Sequence, residues 1–257
     1  MPFARLVDGV RLHYAERGER REGATPALLV HGAGASSAIW MMAMARIARA
    51  AHVVAIDLPG HGPSPAPEGA VGAGALTLET YRDAVGALAG TLCLGQSVLV
   101  GHSMGALIAI EAALAWPHKV RGLVLCAAAP RLPVSDELLA LIREDHARVP
   151  LWMGEHALSP RVKPAVKRAF VAAGLVTPAE VTLADFEAVR ATDLGERVRS
   201  LACPVLWLDG ADDQIVGPPA ERPGEARRLE DVGHLVPIEA PGAVAEGVVK
   251  VLSLLTQ

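Results

Sequence analysis

The chain lacks the features that would assign it to a membrane, an oxidising compartment or a nucleic-acid partner. No apolar run in its 257 residues reaches the roughly 18 positions of a membrane span. The opening Met1-Pro2-Phe3-Ala4-Arg5 has neither the charged head nor the apolar core of a signal peptide, so a cytoplasmic protein is expected. Cysteine is scarce: Cys93, Cys126 and Cys203 are odd in number, scattered and flanked by apolar residues, which reads as small buried thiols rather than disulfides, metal ligands or nucleophiles. No His/Cys cluster has metal-ligand spacing, and neither a Walker lysine nor a dinucleotide fingerprint is present, so neither metal nor cofactor is expected. Lys and Arg never cluster beyond a few residues and the net charge is −4, which removes the electrostatic case for nucleic acid.

A chain with 51% apolar and 20% charged residues is globular, and this length buries a full core. Short apolar runs bounded by Gly, Pro or Asp alternate with helix-like segments: Ala27–His31, Val53–Asp57, Ser97–Val100, Gly122–Ala127 and Val205–Leu208. Brevity and unbroken apolar character point to strands covered on both faces of a parallel sheet. Ahead of them, Phe3–Val7 and Val10–Ala15 read as an antiparallel hairpin turning at Asp8-Gly9, and Arg227–Asp231 as a last strand. The class is α/β, a mostly parallel doubly wound sheet of about eight strands. From about Pro133 to Ser200 the alternation stops, and helical patterns (Asp136–Ala147, Pro164–Ala173, Leu183–Ala191) follow one another between joints at Pro150, Pro160, Pro164 and Pro178. The expected organisation is a core of residues 1–132 and 201–257 with a helical cap, 133–200, inserted before the fifth of these parallel strands. The Gly/Ala/Pro-rich run Pro65–Ala75 is expected to be a surface loop.

Gly101-His102-Ser103-Met104-Gly105 joins the apolar strand Ser97–Val100 to the apolar helix-like run Ala106–Trp116. Strand, sharp turn and helix with serine at the apex is the setting of a nucleophile elbow, and glycine at both flanks removes side chains that would strike the neighbouring strand or helix. A serine hydroxyl needs a base, and the base needs a partner that fixes its tautomer. Of nine histidines, His234 follows the final strand in Asp231-Val232-Gly233-His234 and is the candidate base. The candidate acid lies in Asp209-Gly210-Ala211-Asp212-Asp213, where Asp213 precedes the apolar anchor Ile215-Val216 and Asp212 is the alternative. The oxyanion hole requires two N–H groups: Met104, at the start of the elbow helix, and Ala33, in the glycine-rich His31-Gly32-Ala33-Gly34 after the third strand.

These stretches together resemble the α/β-hydrolase fold superfamily over nearly the whole chain. His31-Gly32 resembles its HG oxyanion motif, Asp57-Leu58-Pro59-Gly60-His61-Gly62-Pro63-Ser64 its D-x-x-G-x-G-x-S loop, and Gly101–Gly105 its elbow. Gly210-Ala211-Asp212-Asp213 resembles the G-x-x-D acid turn and favours Asp213; Gly233-His234 with Glu239-Ala240-Pro241 resembles the G-H…E-x-P terminus. Within the superfamily the chain is similar to capped carboxylesterases and monoacylglycerol-lipase-like enzymes. That resemblance implies a serine hydrolase that cleaves small to medium carboxylic esters through an acyl-enzyme. C–C hydrolysis, acyl transfer and perhydrolysis on the same triad are the alternatives, and a non-catalytic ligand-binding protein on this fold is a further one. Only 21 positions separate Asp213 from His234, because Gly217–Gly224 is too short and Pro-rich for the usual helix between the last two strands. Leu139, Ile142, Trp152, Met153 and Phe170 are the expected pocket-facing residues of the cap, and His31, Gly32, Trp152 and Phe170 the candidate substrate contacts. The partner is a small neutral ester; oligomeric state is not encoded in any motif.

Overall fold

The expected strands form at β1 (Phe3–Arg5), β2 (Arg11–Arg17), β3 (Ala27–Val30), β4 (Val53–Ile56), β5 (Ser97–His102), β6 (Val120–Cys126), β7 (Val205–Gly210) and β8 (Glu225–Leu229). They make one sheet in the order β1-β2-β4-β3-β5-β6-β7-β8. The computed structural model describes residues 2–6, 9–67, 76–217 and 222–256. Every neighbouring pair is parallel except β1 with β2 and β2 with β4, so β2 alone runs against the rest. The expected turn residue Asp8, positions 68–75 of the surface loop and positions 218–221 of the Pro-rich stretch lie outside the described residues.

Successive residues of the central strands enter opposite cores, as the period of two requires. Leu28, Val30, Val54, Ile56, Leu99, Leu123, Leu125 and Trp207 face one core, which α2 (Leu78–Thr91) and α3 (Met104–Ala115) cover. Leu29, Ala55, Val98, Val100, Val124, Leu206 and Leu208 face the other, closed by α1 (Met41–Ile47) and α8 (Pro241–Leu254). Helix α3 is buried on nearly every side, and the one carboxylate on it, Glu111, is satisfied by Arg197 at 3.0 Å.

Between β6 and β7 stand four helices, α4 (Asp136–Glu144), α5 (Val149–His156), α6 (Pro164–Ala173) and α7 (Ala179–Ala191). Helix α5 runs through Pro150, where a joint between helices was expected. Proline is tolerated in a helix's first turn, where no N–H is needed, and Pro150 sits there. Leu138, Ile142 and Val149 cluster with Trp152, Met153, Leu175, Leu183 and Phe186, while Val181 and Val189 of α7 join the main core. Cys126 is buried and Cys203 partly so, but Cys93 is exposed at the end of α2, where φ of 50° turns it out of the helix: a correction to the expectation of three buried thiols.

Among the described residues no helix joins β7 to β8. Arg222 ties this connection down instead: its guanidinium pairs with Asp209, donates to the Ala128 carbonyl at 3.0 Å and lies over the Trp207 ring at 4.5 Å. The Arg222 side chain is only 4% exposed and that of Asp209 20%, so removing one partner strands a charge. Arg222→Ala is expected to lower the free energy of unfolding in guanidinium chloride by about 3 kcal/mol. A loss below about 1 kcal/mol would make the pair an ordinary surface contact.

Candidate active site

The elbow is imposed by contact distances. A Cβ on Gly105 would lie 2.2 Å from the Val30 carbonyl oxygen, and one on Gly101 would lie 2.4 Å from the Ala106 Cα. Helix α3 therefore crosses β3 and returns over β5 at a separation only glycine allows, and the chain must reverse within one residue. That residue is Ser103, at φ 52° and ψ −118°, a left-handed strain no β-carbon-bearing residue adopts without support. Its N–H is held by the Cys126 carbonyl of β6 at 3.0 Å.

Ser103 and His234 line the same cavity. The His234 ring donates through Nδ1–H to Asp213 Oδ2 at 3.0 Å, a bond that selects the tautomer whose Nε2 can accept. Asp213 Oδ1 in turn accepts the backbone N–H groups of Ile215 (2.8 Å) and Val216 (3.0 Å). Burial raises the Asp213 pKa, but the His234 bond and these two N–H groups outweigh it and hold the carboxyl below its ordinary value. The other two candidate acids are engaged elsewhere: Asp212 accepts from Ser159 Oγ at 2.6 Å, and Asp209 pairs with Arg222.

The backbone of the His234 loop is gripped from three sides. Its N–H donates to the Ala157 carbonyl at 2.7 Å, and its carbonyl accepts from His102 Nε2 at 2.9 Å. Glu239 accepts the N–H of Gly233 (3.1 Å) and that of Ser159 (2.8 Å), which accounts for the Glu of the G-H…E-x-P pattern. Burial and then the neighbouring His234 push the His102 pKa down to about 3, so it is a neutral donor to the His234 carbonyl.

Gly32 lies against the serine, since a Cβ there would sit 3.2 Å from Ser103 Cβ. This places Ala33 beside the nucleophile, and among the described residues neither the Ala33 nor the Met104 N–H has a protein acceptor. His31 is corrected: it is fully buried and lies beneath the cavity wall instead of on it. Its Nδ1–H donates to the Gly32 carbonyl at 2.8 Å and its Nε2 accepts the Leu58 N–H at 3.1 Å. Burial, with a smaller contribution from His61, keeps it neutral, well below the usual imidazole value.

The cavity measures about 910 Å³. Gly32, Trp152, Met153 and Phe170 line it as expected, but Leu139 and Ile142 do not: both are buried in helix packing, and Leu138 takes their place on the wall. Among the described residues the wall carries no Lys or Arg and is otherwise mostly apolar. Two groups the sequence reading assigned no part are Asp185 of α7, fully buried, and His61, bonded to it at 2.7 Å. A carboxylate at the i+4 position between Val181 and Val189, on the apolar face of α7, was the available signal.

The close approach at the elbow makes a direct forecast. Gly105→Ala is expected to cost about 3 kcal/mol of stability, read from denaturant unfolding, because the added methyl meets backbone carbonyls that cannot turn aside. A substitution without cost would mean α3 is free to lift from β3.

Comparison with known proteins follows the same lines. The model of the Alpha/beta hydrolase family matches residues 27–247. A putative carbamate hydrolase of Variovorax paradoxus is 33% identical over 223 residues, 80% of this chain and 79% of that one. A pimeloyl-[acyl-carrier protein] methyl ester esterase of Sodalis glossinidius is 30% identical over 206 residues, 74% and 76% of the two chains. Among solved structures, the enol-lactonase of Burkholderia xenovorans superposes with a TM-score of 0.84 at 25% identity, covering 98% of this chain and 100% of that one.

Proposed function

The chain belongs to the alpha/beta hydrolase family, and from that premise we propose that it is a serine hydrolase of small to medium neutral carboxylic esters. The observation that carries this reading is the strained Ser103 opening onto the cavity that also holds His234, whose Nδ1 is fixed by Asp213. Ser103 Oγ attacks the acyl carbonyl as His234 Nε2 takes its proton. The oxyanion that forms is met by the N–H groups of Ala33 and Met104, the latter at the positive end of α3. Collapse breaks the ester C–O bond, His234 returns the proton to the leaving alcohol, and the acyl group stays on Ser103. Water then repeats the sequence with the roles reversed and releases the carboxylic acid.

The substrate class follows from the wall. A carboxylate-bearing substrate would enter an apolar cavity with no cation to meet it, at a desolvation cost of several kcal/mol. A neutral acyl or aromatic group loses only water there. Helices α4–α7 act as the cap, residues 133–200, over a core of 1–132 and 201–257, and supply the side chains that shape the acyl site. The ester specified in the names of the Sodalis esterase and the Burkholderia lactonase supports the bond type.

An alkyl fluorophosphonate is expected to label the wild type at Ser103, and Ser103→Ala to lose about 10³-fold or more in kcat while staying folded. Asp213→Asn favours the wrong imidazole tautomer and is expected to lose up to about 10⁴-fold, with Asp212→Asn costing far less. Labelling at another residue, or turnover of p-nitrophenyl esters by the alanine variant, removes the assignment; turnover of a C–C hydrolase substrate but not of esters would move the bond type.

The cap makes a second forecast. Trp152→Ala and Phe170→Ala are expected to shift chain-length preference in a p-nitrophenyl ester series by about 1–3 kcal/mol of discrimination while sparing the acetate. Equal losses on short and long esters would make these residues supports for the helices only.

A further inference from the structure

The polar group on α7 that the proposed reaction leaves unused is Asp185. It is wholly buried, yet it accepts three hydrogen bonds: Oδ2 from the Gly34 N–H (2.8 Å) and from His61 Nε2 (2.7 Å), Oδ1 from the Tyr81 hydroxyl (2.5 Å). His61 also donates through Nδ1 to the Pro59 carbonyl at 3.1 Å. Opposite an ionised carboxylate both ring nitrogens carry protons, and His61 is then an imidazolium. Burial lowers its pKa, but the Asp185 charge beside it outweighs that and raises the value above the ordinary one. Asp185 of α7 and His61 of a separate loop thus form a pair closed off in the interior.

One of its three bonds reaches the residue next to Ala33. A trans peptide points its C=O and N–H in opposite directions. The Gly32 carbonyl is held by His31, which aims the Ala33 N–H the opposite way; the Gly34 N–H is held by Asp185, which fixes the next peptide unit. Gly34 itself stands at φ +64°, with Thr182 of α7 so close that an added Cβ would lie 3.2 Å from its methyl. Ala33 is therefore pinned on both sides, from below by the core and from above by the inserted helices.

We propose that Asp185 is a positioning residue for the oxyanion hole, holding the Ala33 N–H in line through Gly34. This rests on the serine-hydrolase reading above. It gives α7 a part in the chemical step, separate from shaping the acyl site. Because the oxyanion exists only in the tetrahedral state, the consequence falls on kcat and not on binding. In Asp185→Asn the amide oxygen can still meet Gly34 and His61 with its nitrogen turned to the Tyr81 oxygen, but the negative charge is gone, so the hold on the Gly34 N–H weakens from a charge-assisted bond to a neutral one.

The test measures kcat and KM for a neutral p-nitrophenyl ester, with active sites counted by fluorophosphonate titration so that unfolded protein does not enter kcat. Asp185→Asn is expected to lower kcat about ten- to hundredfold, below the loss for deleting an oxyanion donor outright, with KM changed less than about threefold. The inhibition constant of an alkyl trifluoromethyl ketone, which forms a tetrahedral adduct on serine, is expected to rise in step with the fall in kcat. That of the product carboxylic acid is expected to stay within about threefold. Should Asp185→Asn fail to fold, His61→Gln decides in the same assay: it keeps one donor, removes the charge, and is expected to lower kcat about three- to tenfold with KM held. A purely structural network would instead lower the melting temperature and leave kcat per titrated site and ketone affinity unchanged, which overturns the proposal. If the wild type is not labelled at Ser103, the underlying reading fails; if it is labelled and the variants keep their kcat, only the role of Asp185 fails.

Discussion

Helix α3 lies against β3 at a distance set by two backbones, with no side chain between them at Gly105. Much else follows from that contact. It places the helix's N-terminal N–H groups at the C-terminal edge of the sheet, where the strands end and ligands collect. It makes the preceding residue turn with positive φ, so the serine side chain stands out from the sheet and not within it. It brings the Gly32 loop against Ser103, because β3 and β5 are hydrogen-bonded neighbours and their ends emerge together. The strain at Ser103 persists because elements on every side over-determine it.

What the sequence made legible was what short-range physics writes. The strands could be read because buried parallel strands are unbroken apolar runs, and the elbow because its glycines answer a steric need within five residues. Asp213 could be separated from Asp212 only by register, and the structure accounts for the difference: adjacent carboxylates leave the chain in different directions, one toward His234 and the other toward Ser159. The errors have the opposite character. His31 adjoins the oxyanion loop in sequence, but its side chain turns beneath the wall and spans to the β4 loop. Leu139 and Leu138 are both apolar neighbours on one helix, and which of them meets the cavity depends on how α4 is rotated by its packing. Asp185 has partners 104, 124 and 151 positions away, beyond the reach of any local pattern.

Position along the chain and place in the site are unrelated here in a second sense. The reactive groups proposed for the chemistry come from the ends of strands, which many members of such a fold share. Much of the rest of the cavity wall comes from α4 to α7 and the loop before α7, where no motif stands. A serine, an imidazole and a carboxylate thus specify a reaction type far more sharply than they specify an acyl group.

The inserted helices are fastened at two separate places. Ser159 and Ala157 are bonded to the loop of His234, and Asp185 to the loop of Ala33. A segment tied at both ends does not swing open as a rigid flap without breaking buried hydrogen bonds. Met41, Met42 and Val176 are the large apolar side chains on the cavity's exposed margin, 50%, 57% and 75% exposed, beside the exposed Pro133, Ser135, Glu137 and Gln214. Two of these three are unbranched thioethers that rearrange by single-bond rotation. The exposed margin of the cavity thus includes two adaptable side chains on α1, far in sequence from every residue proposed to react.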